Sequence, residues 1–209
     1  MTTPWQEQER RATRFVDEVS RRIRKSPGDG AALRRSLGRS PANVAHALVA
    51  HHLPDDADEA TERAFYGVAA LIASQPRAIR DQSEPAAHKA EEQADAAPEE
   101  KTTPGKSFGT TLAEAVAADK SRYESTEARL HLLCRQRVNG VHRHLPRLIA
   151  HLQANRVHVD WPRLLVDLSR WGADRDRVTK RWLQDYYRTY HRALAAKKAS
   201  TQTNESENQ

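Results

Sequence analysis

Apolar residues recur in this sequence with the period of an α-helix over almost its whole length. In the first such segment, Phe15, Val19 and Ile23 fall on one face of a helix that we predict from Pro4 to Lys25. The same spacing returns in each later apolar segment. No segment shows sustained alternation of apolar and polar residues between turn signals, as a half-buried strand would. The pattern predicts an all-α protein.

Capping residues and helix breakers predict where the other helices begin and end. We expect Asp29 to cap a short helix that ends at Gly38. Asn139-Gly140 predicts a turn or a local break before the segment that contains Pro146, which should kink its helix or lie close to its start. Further helices are expected after Ser40-Pro41, over residues 58–75, after Ser107, after Ser125 or Thr126, over residues 160–172 and over residues 174–197.

An acidic segment divides the chain. Residues 81–105 hold seven acids and two lysines, and they contain no aromatic residue and no Val, Ile or Leu. Such a segment cannot bury enough apolar surface to offset the entropy of ordering its backbone. We therefore predict two small helical bundles joined by an acidic, disordered linker: an N-terminal bundle (1–76), the flexible linker (77–105), a C-terminal basic bundle (106–198) and a disordered tail (199–209).

Basic residues are concentrated in the second half of the chain. Residues 128–158 contain six arginines and five histidines and no acid. A surface helix normally mixes signs, because like charges one turn apart repel each other. A one-signed segment favours a polyanionic partner such as nucleic acid, whose phosphates release counterions when they are neutralised. The alternative, that the arginines serve helix propensity and cover apolar surface with their stems, stays open.

Two sets of arginines are placed to contact phosphates. One comprises Arg34 and Arg35 in the short second helix, followed by Arg39. The other is a ladder of Arg143, Arg147 and His151 at i, i+4 spacing, which would follow a sugar-phosphate backbone without reading its sequence. The complete set of candidate nucleic-acid-binding residues is Arg34, Arg35, Arg39, Arg135, Arg137, Arg143, Arg147, Arg175 and Arg177.

Enzyme and metal signatures are absent from the sequence. It contains no phosphate-binding loop, no dinucleotide fingerprint, no HExxH and no GxSxG. The single cysteine, Cys134, follows an apolar residue and suits a core position. His142 with His144, and His51 with His52, should point to divergent faces of their helices and so fail to meet at one metal ion. We expect no catalytic residue, no metal site, no cofactor and no small-molecule substrate.

Aromatic residues cluster near the carboxyl end. Their spacing continues the apolar stripes, so most should lie in the core, with Tyr187 the best candidate for a base-stacking residue. The amino terminus has no apolar signal-peptide core, and no apolar run reaches the roughly 18 residues of a membrane span. We expect a cytoplasmic protein that does not contact a membrane.

Several short motifs resemble those of the CasB family, the small subunit of the type I-E CRISPR surveillance complex, Cascade. The main one is the DWP…L…W-G pattern carried by Val159-Asp160-Trp161-Pro162-Arg163-Leu164-Leu165, Asp167-Leu168 and Trp171-Gly172. The others are Gly30-Ala31-Ala32-Leu33-Arg34-Arg35, Ser107-Phe108-Gly109-Thr110-Thr111-Leu112, Leu132-Leu133-Cys134-Arg135 and Leu145-Pro146-Arg147-Leu148. Their order and spacing span most of the chain outside the linker and tail. The long acidic linker departs from the family pattern, as does Pro146, where an arginine pair is common.

The resemblance implies a role. CasB subunits are non-catalytic, all-helical proteins that occur as two copies in a ribonucleoprotein with the other Cascade subunits. They hold the crRNA–target assembly and stabilise the displaced, single-stranded non-target DNA of the R-loop, in antiviral defence. Arg34, Arg35, Arg135 and Arg147 correspond to basic positions of the family, whereas the remaining candidate arginines rest on the charge pattern alone.

Two other functions compete with this one. A structural adapter would use the basic segment to bind an acidic protein partner. A helix-turn-helix regulator would use the segment around Arg34 and the helix after Ser40-Pro41, with Asn43 as its one base-reading amide there.

Overall fold

The computed structural model describes residues 4–37, 43–76, 79 and 105–207. Within these residues every regular element is a helix, which confirms the all-α prediction. One 3₁₀ turn, Ala50–His52, follows the third helix. In chain order the α-helices are α1 (Pro4–Lys25), α2 (Pro27–Arg35), α3 (Asn43–Val49), α4 (Glu59–Ser74), α5 (Phe108–Ala117), α6 (Tyr123–Cys134), α7 (Val138–Ala154), α8 (Trp161–Ser169) and α9 (Arg175–Glu207).

Several helices begin at the side-chain caps that the sequence predicts. The Ser107 hydroxyl accepts the Thr110 N–H at the start of α5, and the Asp160 carboxylate accepts the Arg163 N–H at the start of α8. The prediction for α2 was wrong, because Ser26 rather than Asp29 is its cap. Asp29 lies in the first turn of α2 and accepts a hydrogen bond from Arg22 Nε at 2.6 Å.

Two other helix starts differ from the predictions. α6 begins at Tyr123, before Ser125. Asn139 and Gly140 lie in the first turn of α7, because the chain reverses earlier, over residues 135–137, where the Gln136 N–H bonds the Leu133 carbonyl. α7 therefore begins well before Pro146, which lies inside the helix.

The last helix, α9, is longer than predicted. Residues 199–207, expected to be a disordered tail, continue it to Glu207. Gly38, Arg39, Ser40, Pro41 and nearly all of the predicted linker lie outside the described residues.

Helix α8 joins the two helical regions. It packs against α1 and α4 on one side, while α5 packs along α9 and α2 along α4. Every residue of α8 except Pro162 is buried. One hydrophobic cluster runs from Phe15 and Phe65 in the first half of the chain to Trp171, Trp182 and Tyr186 in the second. The two predicted bundles thus share a continuous core.

Among the helices of the described ranges, none is both long enough and apolar enough to cross a bilayer.

Candidate nucleic-acid interface

Two adjoining clefts lie where the chain passes from α8 to α9. One, of about 610 Å³, lies between Arg137 and residues 171–177, with Trp171 in its wall. The other, of about 800 Å³, lies between the start of α1 and α9. The clefts share Asp174 and Arg177, and we call the combined surface the arginine groove. Its charged lining residues are Arg11, Arg137, Arg163, Arg170, Arg175, Arg177 and Arg181, with Glu7, Asp174 and Asp176.

A buried carboxylate beneath the arginine groove holds two of its arginines in position. Asp167 of α8 is fully buried and accepts hydrogen bonds from Arg163 Nε at 3.2 Å and Trp182 Nε1 at 2.6 Å. Arg181 of α9 donates a further bond to the same carboxylate. Burial raises the pKa of Asp167, and the two guanidinium groups act against that rise by favouring its ionised form. The carboxylate ties α8 to α9 and sets the positions of two groove arginines.

Trp5 lies over these arginines. The guanidinium carbons of Arg163, Arg170 and Arg181 lie 4.8, 5.5 and 5.6 Å from the centre of the Trp5 ring. Such distances allow cation–π attraction, which offsets some of the repulsion among the three like charges. The first turn of α1 is thereby attached to α8 and α9.

The arginine groove carries an excess of positive charge. Its lining holds seven arginines and three acids among the described residues. Two of the acids have partners on neighbouring residues: Asp174 accepts from Arg170 at 2.7 Å, and Asp176 accepts from Arg175 at 3.1 Å. Arg11, Arg137 and Arg177 make no side-chain hydrogen bond or ion pair with any described residue. Their guanidinium groups are available to bind an anion.

One donor of the groove lacks a partner. Nε of Arg181 is buried and makes no hydrogen bond within the described part of the chain. A buried N–H group of this kind costs free energy until it is satisfied.

The structure brings three of the predicted residues together. Arg137, Arg175 and Arg177 line the same cleft although nearly forty positions separate the first from the others. Arg135, exposed, is the C-cap residue that follows α6, two residues before Arg137. Arg39 lies outside the described residues.

The other predicted arginines lie on separate helices. Arg143 and Arg147 are exposed on α7, but His151 does not extend their ladder, because it is half-buried and its Nε2 lies 3.3 Å from Ser121 Oγ. Arg34 and Arg35 are exposed on α2, and Arg34 donates to the Ala73 carbonyl at the end of α4, at 3.2 Å. Arg34 therefore has a structural partner as well as access to solvent.

The aromatic residues are mostly core, as predicted. Trp171, Trp182 and Tyr186 are fully buried. Tyr187, the candidate for base stacking, is half-buried. Its hydroxyl donates to Glu127 Oε1 at 2.7 Å, and this bond raises the pKa of Tyr187 to about 12, so the side chain is engaged within the fold.

Cys134 packs against the core. Burial raises the pKa of its thiol to about 12, so it remains a protonated, unreactive side chain near neutral pH.

Sequence reasoning missed Trp5, Arg11, Arg163, Arg170 and Arg181 as lining residues of the groove. The available signal for Trp5 was its place on the apolar stripe of α1, seven positions before Ala12. The four arginines lie outside the acid-free segment, and only the packing of α1 on α8 and α9 brings them together.

Comparison with known proteins identifies the family. The sequence profile of CRISPR-associated protein Cse2 matches residues 29–187. The chain belongs to the Cse2 family. This confirms the resemblance drawn from the short motifs, and the matched range includes all of them.

Solved structures agree with this assignment. A chain of a structure titled "CRISPR RNA-guided surveillance complex" is 39% identical, with a TM-score of 0.74, and the match covers 90% of this chain and 98% of that one. A second, titled "CRISPR RNA-guided surveillance complex, pre-nicking", is 40% identical with the same TM-score and coverage. A structure titled "Crystal structure of M. ruber CasB" shares the fold at 21% identity and a TM-score of 0.66, over 89% of this chain and 97% of that one. A search of curated proteins found no match.

Proposed function

We propose that this Cse2 chain is a non-catalytic small subunit of a type I-E CRISPR surveillance complex and binds R-loop DNA through its arginine groove. In this role it holds the displaced non-target strand and the crRNA–target assembly, together with the other subunits and a second copy of itself. The observation that carries the proposal is the set of unpaired groove arginines, Arg11, Arg137 and Arg177, in a chain of this family.

The chemistry of the groove suits a sugar-phosphate backbone. Arginine keeps its proton at all physiological pH values and presents a planar fork of donors that matches phosphate oxygens. A row of such groups binds a strand through its charge and carries no information about the bases. This is what a displaced strand requires, since its sequence changes with every target.

The same chemistry argues against catalysis at this site. Arginine neither accepts a proton nor attacks as a nucleophile near neutral pH. The groove therefore supplies binding, and strand cleavage belongs to another protein.

The likeness to the solved structures supports the assembly. The chain covers almost the whole length of the two chains from CRISPR surveillance complexes, at 39% and 40% identity. A subunit of the same length and shape would occupy an equivalent place beside the guide RNA.

The experiment compares two double variants in the reconstituted complex. In Arg137→Ala/Arg177→Ala, two unpaired groove arginines are removed. Arg188→Ala/Arg192→Ala is the matched control, since these exposed arginines lie farther along α9 and outside the groove. R-loop formation on a target duplex is followed by chemical probing of the displaced strand, over a series of salt concentrations.

We expect the groove variant to assemble normally and to hold the displaced strand about tenfold more weakly, with the control unchanged. The salt slope should fall by about 1.4, because each phosphate contact to a single strand adds about 0.7. Strand binding equal to that of the unaltered protein would exclude the groove as the interface. Failure of the groove variant to enter the complex would instead favour the structural adapter.

A further inference from the structure

A second cluster of side chains lies where α1 meets the 3₁₀ turn, apart from the arginine groove. It comprises Glu18 of α1 with His51 and His52 of the turn. On an α-helix the two neighbouring histidines would point to divergent faces, and the sequence therefore predicts no metal site there. In the structure they stand on a 3₁₀ turn, and their rings lie together, with centroids 4.0 Å apart and 38° between their planes.

Both imidazoles face one carboxylate. His51 Nε2 lies 3.6 Å from Glu18 Oε1, and His52 Nε2 lies 3.5 Å from Glu18 Oε2. One ligand atom from each residue can be chosen so that all three lie within 4.8 Å of one another. Zinc bonds of about 2.0–2.1 Å in a tetrahedron place ligand atoms roughly 3.3 Å apart. Small side-chain rotations would therefore close the three ligands on one ion.

The environment of the three side chains favours binding of an ion between them. Nε2 of His52 is buried and has no hydrogen-bond partner within the described part of the chain. Its ring is held edge-on by Phe15, with centroids 5.1 Å apart, so this nitrogen is fixed in its orientation toward Glu18. The side chains of His51 and Glu18 are 56% and 52% exposed, which leaves one side of the cluster open to solvent.

The donor types indicate which ion would bind. Two imidazole nitrogens and one carboxylate oxygen suit Zn²⁺ and its borderline neighbours Co²⁺ and Ni²⁺, whereas Mg²⁺ and Ca²⁺ prefer oxygen ligands alone. We propose that Glu18, His51 and His52 form a surface Zn²⁺ site with a fourth position open to water. Such an ion would link the 3₁₀ turn that follows α3 to α1. The proposal stands independently of the groove and of its function.

The test titrates the untagged, metal-free full chain with Zn²⁺ by calorimetry and with Co²⁺ by visible absorption. The variants are His51→Ala and Glu18→Gln, both at half-exposed side chains that the core does not need. His158→Ala, an exposed histidine elsewhere, is the matched control.

We expect one equivalent of Zn²⁺ per chain, a tetrahedral Co²⁺ spectrum, and a rise in melting temperature when metal is added. Loss of one ligand should weaken binding by roughly 100-fold, that is, about 2.7 kcal/mol, and the control should bind like the unaltered chain. Absence of saturable binding would show that the cluster is only a histidine–carboxylate ion pair and would overturn the proposal. Binding that persists equally in His51→Ala and Glu18→Gln would also overturn it.

Discussion

His142 sits at the contact between α7 and α4, where its ring covers Gly67. A Cβ atom at position 67 would lie only 2.8 Å from His142 Nδ1, so the His142 ring packs directly against the backbone of α4. Burial, and to a lesser extent the Arg63 guanidinium, lowers the pKa of His142 from 6.5 to about 4. His142 therefore stays neutral in the folded protein at neutral pH.

This lowered pKa predicts a loss of stability in acid. Below pH 6.5 the unfolded chain takes up a proton at His142 that the folded protein does not bind until near pH 4. Stability from this residue is present above pH 6.5 and is lost progressively between pH 6.5 and 4. Between pH 7 and pH 5 the loss should be about 2 kcal/mol.

Urea unfolding at pH 7 and pH 5 measures this effect. In His142→Gln, the difference in the free energy of unfolding between pH 7 and pH 5 should be smaller by about 2 kcal/mol. This holds whatever the substitution does to stability at pH 7. His158→Gln, at an exposed position, should keep the full difference. An unchanged difference in His142→Gln would mean that the ring is not buried as the structure has it.

Individual residues were predictable where the signal is local. Ser107 and Asp160 are helix caps because their side chains need only the N–H group three positions ahead. Asp167 was not predictable in its role, since its partners Arg181 and Trp182 come from another helix. The expectation that His51 and His52 point to divergent faces was wrong, because it assumed an α-helix. On the 3₁₀ turn their rings lie side by side.

Helix α5 approaches α9 more closely than side chains on both would allow. A Cβ atom at Gly109 would lie 1.9 Å from the Trp182 carbonyl oxygen and 2.7 Å from its carbonyl carbon. These are backbone atoms of α9, which cannot rotate away. The glycine of the Ser107–Leu112 motif is therefore required for packing.

Gly109→Ala should destabilise the protein by about 3 kcal/mol, because α5 must move away from α9 and leave part of the core unfilled. The free energy of unfolding in urea measures the loss. Gly28→Ala is the control, since a Cβ atom there meets nothing within 4 Å, and it should be neutral or slightly stabilising. Equal stability of the two variants would contradict the close approach of the helices.

Helix periodicity predicted the elements well and their ends less well. The apolar stripes placed α1, α4, α5 and α8 because each buries one face or is wholly buried. The start of α7 was misplaced, since the reversal before it uses three residues with no glycine or proline. The end of α9 was misplaced because the polarity of residues 199–207 was taken for disorder, whereas these residues continue the helix.

For the whole molecule, the charge pattern favoured a polyanionic partner but did not locate a binding surface. The acid-free segment contributes Arg137 to the arginine groove, and the other lining arginines come from α1, α8, the turn after it and α9. No pattern in the sequence connects these segments, because the groove forms only when α8 packs between α1 and α9. Sequence reasoning could thus predict a polyanion-binding protein, while the surface that we propose as its binding site depends on tertiary packing.

The continuous core leads to a last prediction about the two helical regions. Across their boundary, Trp5 covers Arg163, the Thr61 hydroxyl lies 3.5 Å from the Ser169 carbonyl oxygen, and Gly105 donates to Glu9 at 3.4 Å. α8, buried on nearly all sides, takes part of its cover from α1 and α4. Removing that cover would expose apolar surface at a cost of about 25 cal/mol per Å².

A protease site inserted after Glu92 allows the chain to be cut between the two regions. We expect the fragments to remain together, to elute from a sizing column as one particle, and to separate only in denaturant. A cut protein should then unfold in one transition at a lower urea concentration than the intact one, because cutting the connection raises the entropy of the unfolded chains. The insertion left uncut serves as the control. Fragments that elute separately and fold on their own would establish two autonomous bundles, and the shared core would then contribute little to stability.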